Sequence, residues 1–183
     1  MWAITAGRSL NAQVEVHTKP DYVAEHKFED FPISAQIKRN IADKKYISPT
    51  PIQDKAIPVI LSGKDIIGIA NTGTGKTAAF LVPLIDKINK DKTQKVLIVA
   101  PTRELAVQIS DQLDDFSQGM NITCALCIGG TSIGRQRSSL LHNPAFVVGT
   151  PGRIKDCINQ RFLNLSQFNN VVLDEADRMV DIG

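Results

Sequence analysis

Between Gly68 and Thr77 the chain reads G-I-A-N-T-G-T-G-K-T, a run of small residues ending in a lysine and a hydroxyl. Ala70, Thr72, Gly73, Thr74 and Gly75, with Asn71 standing among them in the loop, leave room for successive backbone N–H groups to turn inward. Such groups, joined to a helix N-terminus, form an anion site. Lys76 adds a full positive charge where the helix dipole is already positive, an unfavourable placement unless an anion is bound there. In a phosphate loop this lysine reaches the β- and γ-phosphates, and the following hydroxyl, here Thr77, offers its oxygen to Mg²⁺. The general pattern G-x-x-x-x-G-K-[ST] has glycine where this chain has Ala70. The bland alternative is a flexible link between a strand and a helix.

A second chemistry-bearing set, Asp174-Glu175-Ala176-Asp177, directly follows the apolar Val171, Val172 and Leu173. An acid at the end of a buried strand is what a phosphate loop needs to hold Mg²⁺, directly or through water. Glu175 is then the natural general base for an attacking water. Standing alone, the same acids would read as the front of a helix whose dipole welcomes them. Cys124 and Cys127 form C-x-x-C, but they lie in I-T-C-A-L-C-I, which reads as a strand, where residues three apart point to opposite faces. With Cys157 the count is odd and no second pair completes a zinc site, so all three are expected to be small core residues.

The elements that must position these groups follow from periodicity. Ile33, Ile37 and Ile41 form a helical stripe with Ser34 as N-cap. A second helix starts in P-T-P-I-Q, where Thr50 caps, Pro51 takes the first helical position and Gln53 completes a capping box. The runs K-D-I-I-G-I-A, K-V-L-I-V-A, N-I-T-C-A-L-C-I, A-F-V-V-G and N-N-V-V-L-D read as strands separated by helices. Continuous apolar strands alternating with helices predict an α/β fold, a parallel β-sheet with helices on both faces. Ligands in such sheets gather at the carboxyl ends of the strands. The phosphate loop, Pro101-Thr102-Arg103-Glu104, Thr150-Pro151-Gly152-Arg153 and the acids are therefore expected on one rim. Thr102 and Thr150 read as N-caps of helices that aim bare N–H groups outward.

With 183 residues, 43% hydrophobic and 22% charged, the chain has the size and composition of one globular domain with a core. Its formal charge of +2 is too small to identify a nucleic-acid partner by itself. No apolar run approaches the roughly 18 residues of a membrane span, and no signal peptide is evident, so a soluble, intracellular, cytoplasmic protein is expected, with a nuclear one left open. Residues 1–27 carry no sustained period and are expected to be an N-terminal extension to a domain over 28–183.

In this order and spacing, A-N-T-G-T-G-K-T, P-T-R-E-L-A, the Gly129-Gly130 pair, T-P-G-R and D-E-A-D resemble motifs I, Ia, Ib and II of the DEAD-box RNA helicases. Phe28 and S-P-T-P-I-Q resemble the same family's Q motif, and the likeness covers residues from about 27 to 183. In this family the first loop glycine is commonly alanine, as at Ala70. Lys45 stands where the family usually has glycine, and Tyr46 where it usually has phenylalanine.

The resemblance implies a RecA-like phosphate-loop domain that uses ATP and Mg²⁺ and binds the sugar-phosphate backbone of RNA. Gln53 would read the adenine edge and Phe28 would pack against the base. Lys76 and Thr77 would take phosphate and metal, Asp174 the metal and Glu175 the water, and Asp177 would couple the site to the rest of the machinery. Pro101, Thr102, Arg103, Glu104, Gly129, Gly130, Thr150, Pro151, Gly152 and Arg153 would hold RNA, with little sequence readout. The alternatives are a truncated, inactive ATP- or RNA-binding module and a DNA-directed helicase domain. The family's Ser-Ala-Thr motif and second RecA-like domain, with arginines that complete the ATP site, are not in this sequence. The chain as given is therefore expected neither to unwind RNA nor to turn over ATP usefully. In the related sheets, the strand leading into Ser-Ala-Thr separates the phosphate-loop strand from the acid strand. Without it, those two strands are expected to lack a neighbour.

Overall fold

Apolar runs of four or five residues, too short for helices and rich in Val and Ile, become strands, and the amphipathic segments between them become helices. The computed structural model describes residues 1–5, 12–15, 22–71 and 73–181. Among these, β1 (Trp2–Thr5), β2 (Ala12–Glu15), β3 (Ile66–Ile69), β4 (Val96–Val99), β5 (Cys124–Cys127), β6 (Phe146–Gly149) and β7 (Asn170–Asp174) form one sheet in the order β2-β3-β1-β7-β4-β6-β5. The helices are α1 (Ala35–Asp43), α2 (Pro51–Leu61), α3 (Lys76–Lys90), α4 (Arg103–Phe116), α5 (Ile133–Leu141), α6 (Pro151–Asn159) and α7 (Ala176–Asp181). None of the described helices is long and apolar enough to cross a membrane.

Alternation divides the strand residues between two layers. Val96 and Ile98 of β4, Val148 of β6 and Val172 of β7 join the larger core with Ile37, Phe80 and Phe116. Leu97, Val147 and Cys127 enter a smaller core on the other face with Ile154 and Cys157. Cys124 packs against the larger core instead, so the C-x-x-C residues do face opposite ways. Burial pushes the thiols of Cys124 and Cys127 up to about 12, which keeps them protonated and inert.

The sheet is mostly parallel, with one exception at its centre. β1 runs antiparallel to both β3 and β7 and pairs with each, Trp2 standing opposite Gly68 on one side and Asp174 on the other. The expectation that β3 and β7 would lack a neighbour is thus overturned. Segment 1–27, which carries no periodic signal, supplies the strand that satisfies their N–H and C=O groups, and β2 adds a parallel strand on the far side of β3. On the face away from the larger core, Leu173 is 37% exposed and Ile67 and Ile69 are half-buried, so cover on that side is thinner here than over β4 and β6.

Candidate functional site

β3 delivers the chain into the glycine-rich turn, and α3 begins at Lys76 as the sequence predicts. Thr72 lies outside the described residues. Ala70 packs against the core, and the Thr74 hydroxyl donates to the Asn71 carbonyl at 2.7 Å, tightening the turn. Gly73 and Gly75 take φ of +80° and +86°, the left-handed region that disfavours side chains. At Gly75 a second constraint applies, because an added Cβ would lie 2.3 Å from Gln53 Nε2. The first-turn N–H groups of α3 have no partners within the helix and open on the turn.

Gln53 is fully buried, and both ends of its amide are used. Its Oε1 accepts from the Thr50 N–H at 3.0 Å, and its Nε2 donates to the Gly75 carbonyl at 3.1 Å. The Gln53 half of the capping box read from the sequence is made, and the amide also ties α2 to the phosphate loop. Phe28 is buried as well, edge-on to Phe31 and Tyr46, and Tyr46 is in turn edge-on to Phe116. Lys45 has φ +60°, which explains physically why glycine suits that position.

Asp174 ends β7 with 3% exposure. Burial raises its carboxyl above the usual range, and the nearby Lys76 ammonium works against that rise. Its Oδ1 accepts from the Glu175 N–H at 3.0 Å. Glu175 has φ +49°, an uncommon conformation for a non-glycine residue, and its Oε2 accepts from Arg178 Nη1 at 2.7 Å. Asp177 is exposed and lies 3.4 Å from the α-amino group of Met1, while the Ala176 N–H donates to the Met1 carbonyl at 3.1 Å.

The other residues predicted on the rim, all but Pro151, line a polar groove of about 690 Å³ at the ends of β4, β5 and β6. Pro101, Thr102, Arg103 and Glu104 line it from the start of α4, Thr150, Gly152 and Arg153 with Asp156 from the start of α6, and Gly129 joins them. Pro151 opens α6 at its first position. The glycine pair has a steric reason: Arg103 lies across it, and a Cβ on Gly130 would be 2.4 Å from Arg103 Nη1. Arg153 is held back by its own partners, donating to the Thr131 carbonyl at 3.2 Å with Asp156 3.7 Å away. Of the two expected caps, Thr102 accepts from the Leu105 N–H at 3.2 Å. Thr150 and, on α1, Ser34 occupy the N-cap positions without a side-chain bond.

Two features were not legible in the sequence. Asp54, next to Gln53, is buried and accepts from Tyr22 Oη at 2.5 Å and the Glu25 N–H at 2.7 Å, with His26 Nδ1 also at 2.7 Å. Burial would raise its carboxyl, but these hydrogen bonds prevail and hold it below the usual range. Asp54 thereby fastens residues 22–31, Phe28 among them, beside the loop. The only available signal was an acid within the apolar face of α2. The second feature is β1, for which no periodic signal exists.

Comparison with known proteins agrees with this geometry. The family profile described as DEAD/DEAH box helicase matches residues 50–183. The chain is 48% identical over 158 residues to the ATP-dependent RNA helicase CshA of Listeria monocytogenes, and 46% identical over 157 residues to the DEAD-box ATP-dependent RNA helicase CshA of Bacillus subtilis. These matches cover 86% and 85% of the chain but only 30% and 32% of those relatives, so it spans about a third of their length. A crystal structure of a DEAD box protein from the hyperthermophile Methanococcus jannaschii superposes with a TM-score of 0.79 at 40% identity, covering 86% of this chain and 43% of that one. A hypothetical ATP-dependent RNA helicase from Sulfolobus tokodaii gives 0.75 at 34%, over 82% of this chain and 44% of that one. With its loop, acids and groove on one rim and the family profile matched over most of its length, the chain belongs to the DEAD/DEAH box helicase family.

Proposed function

We propose that the chain is the ATP-binding half of an ATP-dependent RNA helicase, taking ATP with Mg²⁺ at the phosphate loop and the sugar-phosphate backbone of RNA in the adjacent groove. The observation that carries this reading is the buried Asp174 beside Lys76, on the rim where the groove also opens. Ligands of open parallel sheets collect on that rim. Lys76 and the first-turn N–H groups of α3 would bind the β- and γ-phosphates.

Thr77 and Asp174 would hold Mg²⁺, which when bound neutralises charge on the phosphates. Asp174 suits the role, since a carboxylate in so little water favours a cation beside it. Among the described residues no cluster of three or more His, Cys, Asp or Glu could hold a metal. Mg²⁺ would therefore take its remaining ligands from phosphate and water, as it usually does. Glu175 would orient the attacking water. Its left-handed backbone, which costs about 1–2 kcal/mol, supports a site-specific role over a capping one. Asp177, exposed at the rim, would couple the site to a second RecA-like domain. Duplex unwinding and RNA-stimulated turnover would need that domain, because an arginine finger contributes about 10³ to 10⁵ in rate.

Each amide oxygen has two lone pairs and each amide nitrogen two hydrogens, so the buried Gln53 would have one of each to offer the adenine edge once nucleotide binding uncovers it. Phe28 would support the base from the aromatic cluster behind it. The test is calorimetric titration with ATP and GTP: ATP should bind more tightly, and Gln53→Ala should remove most of the difference, about 1–3 kcal/mol. Equal affinity of the unmodified chain for both nucleotides would refute the adenine assignment.

A further inference from the structure

We infer that strand β1, through Trp2, is a positioning element of the nucleotide site: it sets the gap between the phosphate loop and the acid that faces it. The inference rests on the nucleotide reading above and extends it to a segment that reading does not use.

Among the described residues, β3 and β7 do not pair with each other, and the only strand between them is β1. Three residues of β1 are in register with β3 and four with β7. Directly opposed residues in a sheet share a face, so Gly68, Trp2 and Asp174 form one row on the α3 side. Trp2 is fully buried in that row. Its indole occupies the space a side chain at Gly68 would need, with Cε2 only 2.4 Å from an ideal Cβ there. The same ring stands edge-on to Phe80 of α3 at a centroid distance of 5.7 Å. One residue earlier, the Met1 carbonyl accepts the Ala176 N–H within D-E-A-D.

A single short strand therefore touches the strand before the loop, the helix after it, the acid strand and the turn beyond the acid. A wedge in that place fixes how far Thr77 and Lys76 stand from Asp174. Among the described residues, the two sides of the site have no other strand to hold them in register.

The experiment measures ATP affinity with and without Mg²⁺ in the unmodified chain, Trp2→Phe, Trp2→Ala, Gly68→Ala and the Trp2→Ala/Gly68→Ala double variant, with thermal unfolding in parallel. If a loosened wedge misplaces Asp174 by about an ångström, Trp2→Ala should lose about tenfold of the Mg²⁺-dependent gain, while Mg²⁺-free affinity stays within about twofold. Trp2→Phe should keep most of the gain. Gly68→Ala should lose it by pushing the indole away, and the double variant should recover part of that loss because the clash is gone. A purely structural Trp2 would lower the unfolding temperature and leave the Mg²⁺ gain intact in every variant that binds ATP, which would overturn the inference. If Trp2→Ala does not fold, Gly68→Ala and Trp2→Phe read the same quantity, and an unchanged gain in both overturns it equally. An unmodified chain that binds ATP without any Mg²⁺ gain would overturn it too. Failure of the unmodified chain to bind ATP at all would instead remove the nucleotide reading on which it rests.

Discussion

The two halves of the sheet are built differently. From β7 through β4 and β6 to β5, each strand is parallel to its neighbour and its side chains divide between two cores. From β7 the other way, the next strand is an antiparallel one drawn from the chain start, then β3, then β2, with a more open face at Leu173. The regular half carries the groove, whose walls are helix starts and two arginines. The irregular half carries the phosphate loop, with the acids at the end of β7 on its border. Repetition suffices to build an extended polar surface. On the proposed reading, a site that must set a lysine against phosphate, and a hydroxyl and a carboxylate against one small cation, depends on the spacing of two strands, and the inferred role of β1 is to set that spacing.

The comparison is most strongly tested by removing one large ring from each half. Phe146→Ala in β6 and Trp2→Ala in β1 both vacate fully buried positions, and each should cost about 3–5 kcal/mol in denaturant unfolding. Only the second should also disturb the nucleotide site. If Phe146→Ala damages Mg²⁺-dependent ATP binding as much, the two halves are not functionally distinct.

A smaller effect, confined to binding, is expected from Lys76→Ala. Loss of a charged hydrogen-bonding partner to phosphate should weaken ATP by about 1.5–3 kcal/mol, with little change in thermal stability because the side chain is only half-buried. Unaltered ATP affinity in calorimetry would mean that the phosphate site lies elsewhere.

Asp174→Asn should act in the opposite sense on the nucleotide-free protein. The folded state raises this carboxyl, so it holds the proton more tightly than the unfolded chain does. The stability that accompanies protonation is complete below the unfolded carboxylate range and is lost as pH rises through the raised value. The asparagine variant should therefore melt higher than the unmodified chain near neutral pH, and the gain should shrink as the buffer is made acidic. A gain that grows toward acid would reverse the sign and contradict a carboxyl raised by burial.

The smallest effect lies outside both halves. Lys45→Gly should stabilise the chain by about 0.5–1 kcal/mol, since glycine relieves the φ of +60° at the cost of a more flexible unfolded chain. A destabilisation would show that the lysine side chain contributes more than its backbone costs.

Much of the site could be read from the chain because it is encoded locally. The phosphate loop, the capping box of Thr50 and Gln53, the acids after β7 and the Gly129-Gly130 pair depend on residue types at fixed offsets, and the strand ends bring them to one rim. The resemblance supplied the proposed roles of Phe28 and Gln53. Their side chains, however, are committed first to the protein: Gln53 to Thr50 and Gly75, Phe28 to an aromatic cluster. That commitment depends on which helix end meets which loop, a tertiary matter.

What the sequence determined by itself is the alternation of apolar strands with amphipathic helices, since burial on both faces demands runs that no loop would carry. It also determined which polar residues stand at the strand ends, because each motif is a short contiguous word. The tertiary structure alone decided what stands between β3 and β7. W-A-I-T has no more strand signal than many four-residue stretches, and it becomes a strand because two neighbours present unpaired N–H and C=O groups and Gly68 leaves room for an indole. That demand comes from partners 62 to 172 residues away in the chain, as the pairs Ile4 with Ile66 and Trp2 with Asp174 mark. No local pattern can announce it.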